Sequence, residues 1–173
     1  PSELIEVKFH NLTIDPRGKQ PVVMLADLDE NQALLIWIGI FEARAIHSET
    51  QGIEPFRPLT HDLLKSIIQK TDGNIEKIII THVAENVFYA TIVIKQNGSL
   101  KEIDARPSDS IVMALKFKAP IFVSRKLFDE MAVSISMVAL DEGAKISSRG
   151  ISKAWAARWP KSPQPTDAER KDN

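Results

Sequence analysis

Residues 21–46, PVVMLADLDENQALLIWIGIFEARAI, fall on residues 88–113, FYATIVIKQNGSLKEIDARPSDSIVM, at a constant offset of 67 (88 − 21) with no gap. Identities are few, and what repeats is the pattern. Val22-Val23-Met24-Leu25-Ala26 lies over Tyr89-Ala90-Thr91-Ile92-Val93, two apolar strands. The polar stretch Asp29-Glu30-Asn31-Gln32 lies over Gln96-Asn97-Gly98-Ser99, and both read as hairpin turns, Asn-Gly being the stronger signal. Ala33-Leu34-Leu35-Ile36 then matches Leu100-Lys101-Glu102-Ile103 as the return strands. Phe41 to Ile46 matches Ser108 to Met113 as two helix starts.

Each half extends outward from this unit. Leu4 to Phe9 reads as an opening strand with a turn at Asp15-Pro16-Arg17-Gly18, and the isoleucine-rich run Ile75 to Val83 is its counterpart. Thr60 to about Gln69 reads as a helix, with Leu63, Leu64, Ile67 and Ile68 at helical spacing. Thr60 is the expected N-cap, Asp62 suits the positive helix start, and Gly73 lies just past the end. Ala119 to Val123 predicts a short strand before a second helix near Arg125 to Met131. This order predicts an α+β fold, two pseudo-repeated β-hairpin/helix units on a mixed sheet. On the strand around residue 90, Phe88, Ala90, Ile92 and Ile94 share one face, and Val87, Tyr89, Thr91 and Val93 the other. Neither face is strongly polar, which predicts a central strand or one in a subunit interface, the second of which would make the chain a homodimer.

The folded domain is expected to span residues 1–140. Residues 141–173 are expected to be a C-terminal tail, a short helix around Ile151 to Trp159 and then a disordered stretch of prolines and charges. Trp155 and Trp159, at i and i+4, predict docking of that helix on the domain. Their interleaving with Lys153, Arg158 and Lys161 is the alternative signature of a single-strand binder. There are no cysteines, which excludes disulfides, thiolate zinc sites and cysteine nucleophiles. The opening Pro1-Ser2-Glu3-Leu4 lacks the basic-then-apolar order of a secretory leader, and no apolar run is long enough for a bilayer, so a cytoplasmic location without membrane partner is expected. Twenty-two basic against 23 acidic residues leave a net charge of −1, which argues against a broad duplex-DNA footprint but leaves room for a local basic site.

Three clusters carry the polar chemistry: Trp37-Ile38-Gly39-Ile40-Phe41-Glu42-Ala43-Arg44-Ala45-Ile46, then Arg57-Pro58-Leu59-Thr60-His61-Asp62-Leu63, then Ile103-Asp104-Ala105-Arg106-Pro107-Ser108-Asp109. In this order and spacing, from about Leu4 to Met131, the chain resembles the bifunctional nuclease domain family. The resemblance implies an α+β domain, dimerisation, and degradation of both DNA and RNA as reported for some members. It carries no settled mechanism. The sequence departs from the family in its helices, with His47-Ser48-Glu49-Thr50 and Ser110-Ile111-Val112-Met113 where small and apolar residues are usual.

Phosphodiester hydrolysis needs an activated water and positive charge against the phosphoryl oxygens. His61 is the expected general base, Glu42, Asp62, Asp104 and Asp109 are the candidate catalytic carboxylates, and Arg57 and Arg106 are the candidate phosphate clamps. Asp62 and Asp104 are the expected ligands of a Mg²⁺ or Mn²⁺ ion, and no organic cofactor is expected. Glu42 and Asp109 occupy equivalent repeat positions in a first helical turn, where the helix dipole alone explains an acid. His82 alternates with Ile78 and Ile80 and reads as a partly buried packing residue; no two histidines have zinc spacing. Two functions fit: a DNA- and RNA-cutting hydrolase with DNase and RNase activity, or a non-catalytic dimeric binding or regulatory module whose polar residues form a structural network. No glycine-rich loop supports a P-loop or dinucleotide enzyme.

Overall fold

A computed structural model describes residues 3–15 and 19–136. In chain order they form β1 (Leu4–Ile14), β2 (Pro21–Asp27), β3 (Gln32–Trp37), α1 (Ile40–Thr50), α2 (Thr60–Lys70) and β4 (Gly73–Ala84). β5 (Val87–Gln96), β6 (Ser99–Ala105), α3 (Pro107–Phe117), β7 (Ile121–Ser124), α4 (Arg125–Met131) and β8 (Val133–Ser134) follow. The strands make one mixed sheet in the order β6-β5-β4-β7-β1-β2-β3-β8, so the fold is α+β. Two antiparallel meanders, β1-β2-β3 and β4-β5-β6, are joined by β7, which runs antiparallel to β1 and parallel to β4.

The offset of 67 holds in three dimensions. Adding it to α1, Ile40–Thr50, gives the bounds of α3, Pro107–Phe117. The hairpins differ in register. Val23 faces Ile36 in the first, and the offset copies that pair onto 90 and 103, but Ala90 faces Ala105. The cause is the turn. Asn97 (φ 49) and Gly98 (φ 76) are both left-handed and make a two-residue hairpin turn. The first hairpin uses a longer loop, held by Asp27 Oδ1 accepting from the Asn31 N–H at 2.8 Å. A shift of two residues keeps every side chain on its face, which is why the repeat survives it.

Ala90 and Ile92 of β5 are buried in the main core, with Phe88 and Ile94 packed against it. Ala43 and Ile46 of α1, Ile111 to Ala114 of α3, and Leu127 and Phe128 of α4 join the same cluster, with Ile68 of α2 packed on its margin. On the other face of β5, Val87 and Tyr89 are exposed while Val93 is buried, and the strand lies one in from the sheet edge. A smaller cluster, Met24, Ala26 and Ala33 with Leu35 and Ile135, stands apart from that core.

Three local expectations change. Thr60 is the first residue inside α2 and Leu59 is its N-cap, because the Asp62 carboxylate reaches back to the Leu59 N–H at 2.9 Å. The left-handed residue after α2 is Asp72 (φ 57), and Gly73 opens β4. His82 is exposed. A register shift between Ile80 and His82 moves it out of alternation with Ile78 and Ile80, and its ring stacks on Tyr89 at 4.4 Å. The turn at residues 15–18 and the tail from residue 141 lie wholly or partly outside the described residues. Among the described residues, no helix is long and apolar enough to cross a membrane.

Candidate functional site

The polar residues converge where α1, α2 and α3 meet. α3 begins at a tight corner after β6: Arg106 is its N-cap and Pro107 follows in the first turn, where a missing N–H costs nothing. From that corner Arg106 donates through Nε to Asp109 Oδ2 at 2.8 Å and through Nη1 to Glu42 Oε1 of α1, also at 2.8 Å. Asp109 uses its other oxygen for His61 Nε2 of α2, at 2.9 Å. The result is one chain of charge-assisted contacts, Glu42–Arg106–Asp109–His61, spanning three helices.

A second chain runs beside it. Lys116, in the last turn of α3, donates to Glu49 Oε2 at 2.7 Å and to Asp62 Oδ1 at 2.5 Å. Asp62 thus spends one oxygen on Lys116 and the other on the cap of its own helix. Its role is to anchor the start of α2, one residue from His61.

Burial and pairing set the charges. The His61 hydrogen bond, aided by Arg106 and opposed by burial, holds the Asp109 carboxyl down at about 2. At neutral pH Asp109 is therefore an acceptor only, so His61 Nε2 carries the proton. In the neutral ring Nδ1 then holds the free lone pair, the state a general base needs. Burial pushes the Asp62 carboxyl up, but hydrogen bonds from Lys116 and the Leu59 N–H outweigh it and lower the pKa. Burial likewise pulls the Lys116 ammonium down, and its bonds to Asp62 and Glu49 reverse this and raise it. Arg106 is raised by its bonds to Asp109 and Glu42. Its side chain is 64 % exposed while that of His61 is only 15 % exposed, so the guanidinium is the outward-facing member of the chain.

Glu42, His61, Asp62, Arg106 and Asp109 are thus brought together. Asp104 is not. It pairs with Thr91, whereas the next residue, Ala105, pairs with Ala90 of the core face, so Asp104 points to the opposite side of the sheet from the helices. Arg57 stands exposed in the loop between α1 and α2, with no ion pair among the described residues. Asp62 and Asp104 therefore do not form a shared metal site. Among the described residues no three His, Asp or Glu side chains converge as ligands, and the carboxylates of the network already face Arg106, His61 or Lys116. As arranged, these residues do not fit a bound divalent ion.

Glu49 and Lys116 were not singled out from the sequence, yet the signal was present. Extending the alignment three places past Ile46 and Met113 puts Glu49 on Lys116 (49 + 67 = 116), so the pair joins equivalent positions of the two repeats. Glu42 and Asp109 are equivalent in the same way, and both grip Arg106.

Known proteins resemble the chain across this whole region. Residues 23–136 match the model of the bifunctional nuclease domain. An uncharacterised protein of Mycobacterium tuberculosis is 35% identical over 130 residues, covering 75% of this chain and 77% of the relative. Bifunctional nuclease 1 of Arabidopsis thaliana is 25% identical over 133 residues, 74% of this chain but 39% of that longer protein. Bifunctional nuclease 1 of Oryza sativa subsp. japonica is 24% identical over 105 residues, 58% of this chain and 32% of its own length. With the family model matching well over half of its residues, including all three polar clusters, the chain belongs to the bifunctional nuclease domain family.

Proposed function

We propose that this chain is a nuclease that hydrolyses phosphodiester bonds of DNA and RNA, with His61 as general base and Arg106 as phosphate clamp. The observation that carries the reading is the His61–Asp109 hydrogen bond at 2.9 Å, in which a carboxylate that also holds Arg106 fixes the imidazole proton on Nε2. Family membership and the names of the plant relatives support it. In the reaction His61 Nδ1 takes a proton from water, and the water oxygen bonds to phosphorus. The P–O bond to the leaving sugar then breaks, and that oxygen receives the proton back from His61. Arg106, with donors left over after Glu42 and Asp109, faces the phosphoryl oxygens as charge builds on them.

A second reading has its own support. Each carboxylate of the network already has a cationic partner, Glu42 and Asp109 on Arg106 and Glu49 and Asp62 on Lys116, as in a structural network of a non-catalytic binding or regulatory module. Cleavage of single-stranded DNA and RNA separates the two. Wild type and Arg106→Lys are compared with Mg²⁺, with Mn²⁺ and with EDTA, after both are shown to fold. Cleavage that drops sharply in Arg106→Lys, which keeps the charge but loses the planar fork, supports the nuclease. Cleavage that survives EDTA assigns the chemistry to the side chains, and cleavage that needs Mg²⁺ or Mn²⁺ contradicts the metal-free arrangement of these residues. Absence of cleavage under all conditions rejects the nuclease in favour of the binding module.

A further inference from the structure

Helices α1 and α3 are equivalent in the repeat, yet they begin in opposite surroundings. Pro107 and Ser108 at the start of α3 are buried, whereas Ile40 and Phe41, their counterparts in α1 at the offset of 67, are exposed. Phe41 is 77% exposed, and the core takes Ala43 and Ile46 from α1 but nothing from this ring. Packing therefore does not account for an aromatic side chain here. The corner beside it presents a charge outward. A Cβ on residue 39 would collide with the Glu42 carboxylate, so Gly39 leaves the room in which Glu42 turns back over the start of α1 to meet Arg106. The side chains of Glu42 and Asp109 are 20% and 29% exposed against 64% for Arg106, so the corner shows solvent a guanidinium. Its bonds to these carboxylates run from Nη1 and Nε, which leaves Nη2 for a ligand. Phe41 is the chain neighbour of Glu42, with Cα atoms about 3.8 Å apart.

We propose that Phe41 is the platform on which the site stacks one unpaired nucleobase, while a phosphate of the same strand rests on Arg106. The inference rests on the nuclease reading and names the form of substrate that its site takes, a single strand. An open aromatic ring accepts any base, because every base has a π face. A base inside a duplex is already stacked and paired, so the same ring offers it nothing. Charge makes the stack necessary. The chain carries a net charge of −1, and counterion release at one guanidinium is a weak hold on a strand. The charged groups around the corner are Glu42 and Asp109, both turned onto Arg106, and Arg44 one turn along α1 from Phe41. Affinity for a strand has to come largely from the ring, with Arg106 fixing where its phosphate lies.

The test is binding of a short fluorescein-labelled oligothymidylate, read by anisotropy. The parent is the full chain carrying His61→Gln, so that turnover does not intervene. Adding Phe41→Ala is expected to weaken binding about tenfold, the size of one base–aromatic stack. Phe41→Trp should hold the strand at least as tightly as the parent, and Phe41→Leu should lose as much as Phe41→Ala. Leu100→Ala, at another exposed apolar residue on the edge strand β6, should change nothing. On a strand of abasic sugar-phosphate, and on a duplex, the parent and Phe41→Ala should bind alike. Since the ring packs on nothing in the core, each of these variants should keep the parent's melting temperature. Undiminished affinity of Phe41→Ala for the oligothymidylate overturns the stack and leaves the nuclease reading standing. So does full affinity in Phe41→Leu, which would make the contact apolar rather than aromatic, and so does an equal loss on the abasic strand. A parent that binds no strand at all overturns the stack and the nucleic-acid reading together.

Discussion

Helices α2 and α3 are each eleven residues long and lie side by side, yet they use the same length in opposite ways. α3 buries Pro107, Ser108, Ser110, Ile111, Val112, Met113 and Ala114, so its place is set by packing. α2 buries none of its residues fully and is tied to α3 by His61–Asp109 and Asp62–Lys116, with Ile68 on the core margin. The candidate site arises from this division of labour. A core helix supplies a rigid platform with Arg106, Asp109 and Lys116 along one edge, and a polar-faced helix brings the histidine to it.

The contrast breaks most visibly by placing a charge on each helix. Val112→Asp in α3 should cost more than about 4 kcal/mol and leave the chain unfolded, since it buries an unpaired carboxylate in the core. Leu63→Asp in α2, compared by urea denaturation, should stay within about 0.5 kcal/mol of wild type. A large loss in the second variant would mean that α2 packs like α3.

The ties themselves come next. Lys116→Met should cost about 2–3 kcal/mol, between the values for exposed and buried pairs, because it leaves Asp62 and Glu49 facing each other without their cation. Adding Glu49→Gln and Asp62→Asn should recover part of that loss in the same denaturation experiment. No recovery would show that the loss does not come from two carboxylates left without their cation.

A smaller effect appears with pH. The folded Asp109 carboxyl titrates at about 2 against an ordinary 3.8, so its pairing stabilises the fold fully above about pH 4 and is lost as pH falls through 2. Partial exposure and screening bring this to about 1–2 kcal/mol. The melting temperature of wild type should fall more steeply between pH 4 and pH 2 than that of Asp109→Asn. Parallel curves would remove Asp109 from the network.

Most of this architecture was legible because the repeat is local. Strand, turn, strand and helix start each show in a short window, and the offset that aligned Pro21 with Phe88 also carries α1 onto α3. Asn97-Gly98 announced its hairpin because only a left-handed pair fits that turn. What stayed hidden depends on partners far away in sequence. Lys116 reads as an ordinary solvated helix end until α1 and α2 close over it with Glu49 and Asp62. Asp104 reads as a site carboxylate by its place beside Arg106, but strand parity sends it to the other side of the sheet. Leu59 took the N-cap from Thr60 because a carboxylate three residues on reached the backbone first.

The most direct measurement is kcat/KM on a single-stranded oligonucleotide for wild type, His61→Gln and Asp104→Asn, each first shown to melt as a folded protein. With His61 as base on the Asp109–Arg106 platform, His61→Gln should lose roughly 100-fold or more while Asp104→Asn keeps the wild-type rate. Cleavage undiminished in His61→Gln, or abolished in Asp104→Asn, would contradict the account and move the chemistry away from the seam between α2 and α3.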